Sequence, residues 1–238
     1  MKLFESIKRQ IPNLITLGNL LCGVIACWMA AQGLLKEAAI WICLGIFLDF
    51  FDGLSARLLG VASPMGKELD SLADVVTSGV APGLILFQMS GFFWQPDYLE
   101  AFSYLALLTP AFAAYRLAKF NLDTRQSHSF LGLPAPANAL IWVGLALYGS
   151  ITLTPCWVIT LMCLSVATDI LMVSELPMFS LKFNFKDLSW KTNNIQYIFL
   201  IGCAIIIAAT REWYAISLII LWYILFSILT QRKAPAHD

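Results

Sequence analysis

Eight apolar stretches, at about 12–32, 36–60, 66–92, 101–120, 133–150, 155–174, 194–209 and 213–230, divide this chain from end to end. A helix crosses the hydrocarbon core of a bilayer with about 20 largely apolar residues, and most of the eight reach that length. The pattern predicts an all-α polytopic membrane protein with about eight transmembrane helices. No repeat and no low-complexity linker interrupts it. Residues 11–238 read as one transmembrane domain, preceded at 1–10 by an amphipathic segment.

Composition agrees. Of 238 residues, 59% are hydrophobic and only 13% are charged, against about 25% charged in ordinary soluble domains. That excludes disorder, a nucleic-acid binder with a basic face, and a typical water-soluble enzyme. No cleavable leader is expected, because residues 2–9 are polar and the apolar stretch after them is too long for one. Cys22, Cys27, Cys43, Cys156, Cys163 and Cys203 all fall inside apolar stretches, with no CxxC spacing. They are expected to be free packing residues.

The net charge is zero, yet the cations are sorted. Lys2, Lys8, Arg9, Arg57, Lys67, Arg116, Lys119, Arg125, Lys182, Lys186, Lys191, Arg232 and Lys233 fall on one side, with Lys36 and Arg211 on the other. By the positive-inside rule this puts both termini in the cytoplasm and requires an even number of spans. Leu3, Phe4 and Ile7 against Lys2, Lys8 and Arg9 predict an interfacial helix over Met1–Gln10. Lys182, Lys186 and Lys191 form a basic surface suited to anionic lipid.

The second and third stretches carry carboxylates that lipid does not tolerate cheaply. Asp49, Asp52, Gly53 and Ala56 share one helical face, and so do Gly66, Asp70 and Asp74 on the next helix. A short turn, Leu59–Pro64, makes the two helices antiparallel neighbours. Each charged group at a helix centre costs roughly 2.5–3.5 kcal/mol, and Arg57 and Lys67 compensate too little. Divalent cations would neutralise such a set, and an all-oxygen site suits Mg²⁺ or Mn²⁺ rather than zinc. Two metals among four carboxylates suit chemistry on a phosphate. Small residues at Gly53 and Ala56 leave room for a ligand, and Arg57 offers a planar phosphate contact. The alternative is an ion-pair network or a proton relay in a cation-coupled transporter. Four acids at these spacings favour the metal site.

The string DFFDGLSAR at Asp49–Arg57, followed after eight residues by GKELDSLAD at Gly66–Asp74, matches DxxDGxxARx8GxxxDxxxD at every fixed position. It resembles the signature of the CDP-alcohol phosphotransferases, enzymes that displace CMP from a CDP-linked lipid or alcohol with a hydroxyl acceptor. The resemblance implies that Asp49, Asp52 and Asp70 ligate a di-metal centre. Asp74 would be the general base and would share a metal. Asp52, Gly53, Ala56, Arg57 and Gly66 would line the CDP site. Asn13 and Thr16, one turn apart at the cytoplasmic start of the first span, are candidates for cytidine or diphosphate contact. Helix capping or interhelical hydrogen bonding is the alternative role for both.

Three further runs, IPNLITLGNLLCG from Ile11, DSLADVVTSGVAP from Asp70 and YRLAKFNLDTRQSHSFLGLP from Tyr115, resemble the membrane-embedded phosphatidylserine synthases of that family, as does PMFSLK from Pro177. Thr77-Ser78 departs from a more usual Ser-Phe. The resemblance implies CDP-diacylglycerol as donor, L-serine as acceptor, an inner-membrane location and a homodimer. A serine pocket needs an Arg fork and acceptor oxygens, and Arg116, Asn121 and Arg125 are the candidates. Asp123 is placed to serve the ammonium. Glycerol 3-phosphate or an inositol phosphate remains the alternative acceptor, since either also needs Arg and Lys. Asp169 has no motif partner and is read as a structural hydrogen-bonding group.

Overall fold

A computed structural model describes residues 2–91, 97–122, 130–149, 154–179 and 190–231. These form eight helical passes, close to the predicted limits. The first is α1 (Lys2–Ala31), which runs unbroken through Pro12. The segment expected as a separate amphipathic helix is therefore helical and continuous with the first span, whose apolar part is Gln10–Ala31. The second pass is α2 (Leu35–Leu59). Gly60 ends it at φ +64°, a left-handed turn that returns its N–H to the carbonyls of Ala56 and Arg57. Ser63 then caps α3 (Pro64–Asp74) by accepting from the Gly66 N–H at 3.0 Å, with Pro64 at the first helical position. Helix stop and helix start lie four residues apart, so α2 and α3 are forced antiparallel.

The third pass is not one regular helix. After α3 the chain forms a π-helix, Val75–Val80, and then α4 (Ala81–Met89). The fourth pass is also composite, running α5 (Asp97–Ser103), a 3₁₀ turn (Tyr104–Leu107) and α6 (Leu108–Leu122). The remaining passes are α7 (Ala135–Tyr148), α8 (Pro155–Val173), α9 (Trp190–Thr210) and α10 (Ala215–Gln231). Five helices are long and apolar enough to cross a membrane on their own, and α7 and α10 are shorter apolar helices. At 1.5 Å per residue α7 reaches only about 21 Å. It packs between α2, α4 and α10 with its Asn138, Ile141, Trp142 and Val143 fully buried, so protein rather than lipid surrounds much of it.

Small residues bring the passes together. A methyl group at Gly45 of α2 would lie 2.5 Å from Thr77 Cγ2 and 2.9 Å from Asn19 Oδ1. One at Gly79 would lie 2.9 Å from Ala113 of α6. Behind this seam, Asp169 of α8 is wholly buried. It accepts from Thr109 of α6 at 3.0 Å and from Asn138 of α7 at 3.4 Å. It thus ties three helices, the structural role expected of it. Short strands β1 (Phe130–Leu131) and β2 (Pro177–Met178) pair antiparallel, Phe130 with Met178 and Leu131 with Pro177. All six cysteines are free.

Candidate active site and metal centre

The two acidic faces meet as their spacing predicts. Asp49 of α2 and Asp70 and Asp74 of α3 each place a carboxylate oxygen within 4.8 Å of the other two. Asp74 is buried, and Oδ1 of Asp70 is buried with no hydrogen-bond partner. Three converging carboxylates with an unsatisfied oxygen form an incomplete site in lipid, because like charges this close repel and the buried Asp70 Oδ1 lacks a donor. The set fits a divalent cation of the oxygen-seeking class.

Asp52 stands beside this group rather than within it. It is turned toward α1, where the buried Thr16 hydroxyl donates to its Oδ2 at 2.5 Å and also to the Pro12 carbonyl at 3.0 Å. One turn deeper, Asn19 donates its amide to Asp74 Oδ1 at 3.3 Å. Thus α1, which contributes no carboxylate of its own to the site, holds one acid on each acidic helix. In the sequence Asn19 extends the Asn13–Thr16 row by one further turn. That spacing was the signal for its role.

A cavity of about 300 Å³ opens from the acid group toward the α2–α3 turn. Asn13, Thr16, Asp52, Gly53, Ala56, Arg57 and Gly66 all line it, and so does Asp70. These are the seven residues the sequence assigns to nucleotide binding. Gly53 has nothing within 4 Å of where a Cβ would be, so the cavity floor there is open. Arg57 folds its Nε onto the Gly53 carbonyl at 3.0 Å, leaving the end of the guanidinium at the rim. Ser63 and Lys67 also line the cavity but carried no distinguishing sequence signal.

The acceptor candidates separate into distinct roles. Arg116 is buried, its Nε has no hydrogen-bond partner, and it interacts electrostatically with Asp74 without forming an ion pair. Lys119 is committed to Glu175 at 3.6 Å and to the Val173 carbonyl at 3.2 Å. Asn121 donates to Ser71 at 2.8 Å, and its carbonyl accepts from Lys67 at 3.0 Å, which fastens the end of α6 to α3. Arg125 and Asp123 lie outside the described residues.

The model of the CDP-alcohol phosphatidyltransferase family matches residues 9–178. The chain belongs to this family. Among curated CDP-alcohol phosphatidyltransferases, the chain is 39% identical over 127 residues to the CDP-diacylglycerol–serine O-phosphatidyltransferase of Bacillus subtilis, covering 53% of this chain and 69% of that one. It is 30% identical over 239 residues to the enzyme of the same name from Mycobacterium leprae, covering 95% and 77%. A relative of that name in Methanocaldococcus jannaschii is 36% identical over 138 residues, covering 56% and 59%. The family match takes in α1 through β2 and hence every acid of the site. It leaves α9 and α10 outside.

Proposed function

We propose that this CDP-alcohol phosphatidyltransferase moves a phosphatidyl group from CDP-diacylglycerol to L-serine and releases CMP. One observation carries the reading: the cavity lined by the seven nucleotide-assigned residues is also lined by Asp70, a member of the acid group. A diphosphate seated there is delivered to the carboxylates.

Each residue then has a task. Asn13, Thr16 and the Gly53–Arg57 segment receive the CDP head, and the bare Gly53 lets it approach the backbone. Asp49, Asp70 and Asp74, with Asp52 beside them, would hold divalent metal, Mg²⁺ or Mn²⁺ and two ions in this reading. When bound, such metal polarises the phosphoryl group and offsets the charge of the leaving CMP. Asp74 accepts the proton of the serine hydroxyl. The serine oxygen bonds to the β-phosphorus as the bond from that phosphorus to the CMP oxygen breaks, and CMP carries off the electron pair. Arg116, whose guanidinium edge is free, receives the serine carboxylate in bidentate fashion. Arg125 and Asn121 complete the acceptor side in the same reading.

The cation distribution supports a cytoplasm-facing site in the inner membrane, with the lipid tails of the donor entering from the bilayer. The family likeness supports a homodimer. The test is CMP release from purified enzyme with labelled CDP-diacylglycerol, metal, and each of L-serine, glycerol 3-phosphate and an inositol phosphate as acceptor. Serine-dependent release is expected. Release with glycerol 3-phosphate alone would reassign the acceptor, and cation flux without CMP release would reassign the class.

A further inference from the structure

A cavity of about 430 Å³ lies at the turn between α9 and α10, outside the family match. Ile207 of α9, Ile216 and Ile219 of α10, and Arg211, Glu212 and Trp213 of the turn line it. It sits at the end of the bundle away from the acids. The Tyr214 ring in this turn packs edge-on to Tyr148, with centroids 5.1 Å apart. A methyl on Gly149, the next residue, would lie 2.6 Å from Lys36 Cε in the first turn of α2. Asp52 and Arg57 occupy the last two turns of that helix, and Lys36 and Arg57 are about 31 Å apart along its axis.

The backbone of Arg211 is costly. It follows the last residue of α9 at φ +52°, the only non-glycine residue at positive φ among the described residues. Its N–H closes the helix on the Ile207 carbonyl at 3.0 Å. Glycine takes such a position without strain, whereas a Cβ there crowds the backbone. What arginine contributes here is therefore its side chain. Among the described residues neither Arg211 nor Glu212 is in an ion pair, with each other or with a third residue. Both are exposed, and so is Trp213 beside them.

A cation and an anion adjacent in the chain, set over three isoleucines, complement one ligand with a negative group, a positive group and a hydrocarbon part. Of the five helices long enough to span a membrane, α9 is the least buried, at 11% of its apolar stretch. Its flanks therefore meet lipid, and the cavity opens where the helix ends. Trp213 stands at that level, as tryptophans do at the membrane–water boundary. The molecule at hand with all three properties is a phospholipid whose head carries an ammonium.

We propose that this cavity is a phospholipid site separate from the donor site. The Arg211 guanidinium takes the phosphate, the Glu212 carboxylate takes the head-group ammonium, and the isoleucines take the start of an acyl chain. The site is independent of which acceptor the enzyme uses.

The test follows the thermal midpoint of the delipidated protein in detergent, alone and with dihexanoyl phosphatidylethanolamine, dihexanoyl phosphatidylglycerol or phosphoethanolamine. With saturating phosphatidylethanolamine the wild-type midpoint should rise by roughly 5 °C. Phosphatidylglycerol, which lacks the ammonium, should give less than half of that rise, and phosphoethanolamine, which lacks the chains, none. Arg211→Gly should melt no lower than wild type without lipid, because the strain leaves with the side chain, and should lose most of the lipid response. Glu212→Gln should respond equally to the two lipids.

An equal rise in wild type and Arg211→Gly would place the lipid effect elsewhere and overturn the site. A full rise with phosphoethanolamine would overturn a lipid in favour of a soluble ligand. A lower lipid-free midpoint in Arg211→Gly would make the arginine structural. Loss of dimer in Arg211→Gly with no lipid response in wild type would mean that a second copy of the chain covers the cavity, which also overturns the proposal.

Discussion

Thr77, inside the π-helix, donates its hydroxyl hydrogen to the main-chain carbonyl of Asn19 at 3.1 Å, while the Asn19 side chain donates to Asp74 at 3.3 Å. The residue that orients the proposed base is therefore itself held, through its backbone, by the helix that carries the base. This closed arrangement depends on a close approach of three backbones. Gly45 sits where they meet.

Gly45→Ala would set a methyl 2.5 Å from Thr77 Cγ2 and 2.9 Å from Asn19 Oδ1. Overpacking of this kind costs about 1–3 kcal/mol, so the thermal midpoint of the purified protein should fall by several degrees. Adding Thr77→Ser removes the first obstacle but not the second, and should restore part of the loss. A midpoint equal to wild type in Gly45→Ala would show that the seam yields without cost.

Asp70→Asn and Asp74→Asn should each lower serine-dependent CMP release by about 10²–10⁴, the range associated with a lost acid–base or charge-stabilising group. Neither side chain packs the apolar core, so both variants should keep the wild-type elution volume and a single cooperative melting transition. Turnover surviving in both would remove the acid group from the reaction.

Chelation gives a readout independent of turnover. Three carboxylates within 4.8 Å repel when bare, so Mg²⁺ or Mn²⁺ should raise the melting midpoint of the chelated protein, by binding the folded state alone. Asp70→Asn should abolish that rise and should itself melt slightly above wild type without metal, because one repelling charge is gone. A metal-induced rise of full size in Asp70→Asn would place the ion elsewhere.

Thr16→Val removes the hydroxyl bonded to Asp52 while keeping the side-chain shape. A buried carboxylate that loses a donor is penalised by roughly 1–3 kcal/mol. Because Thr16 and Asp52 both line the nucleotide cavity, the KM for CDP-diacylglycerol should rise about tenfold and the serine KM should not move. The opposite split would shift Thr16 to the acceptor side.

Much of this site is legible in the sequence because it depends on local geometry. Offsets of three and four put Asp49 with Asp52 and Asp70 with Asp74, and the Gly60–Pro64 punctuation makes the helices antiparallel. Those two facts alone bring the acids together. What is not legible comes from contacts distant in the chain. Spacing groups all four aspartates, but it does not show that Thr16, 36 residues away, hydrogen-bonds Asp52. Arg116 and Lys119 look alike as helix-end cations, and only the distant Val173 and Glu175 separate the committed lysine from the arginine, whose buried Nε has no partner. The length of α7 misleads as a span because neighbouring helices, absent from any local window, cover it.

The π-helix at Val75–Val80 gives the third pass a counted length. Each residue of a helix turns the chain by about 100°, and a π-turn holds one residue more than an α-turn in its place. Upstream of it, Asp70 and Asp74 aim at α2; Gly79 near its end and Gly83 beyond it aim at the fourth pass, where added methyls would meet Ala113 and the Ala106 carbonyl. The extra residue works as a phase shifter between two aligned ends. Wound as an ordinary α-helix, the same residues would turn the downstream end by about 100° relative to the upstream one, and the two ends could then no longer both point at their partners. One wider turn thus lets a single pass serve two different neighbours, its acids toward α2 and its glycines toward α6.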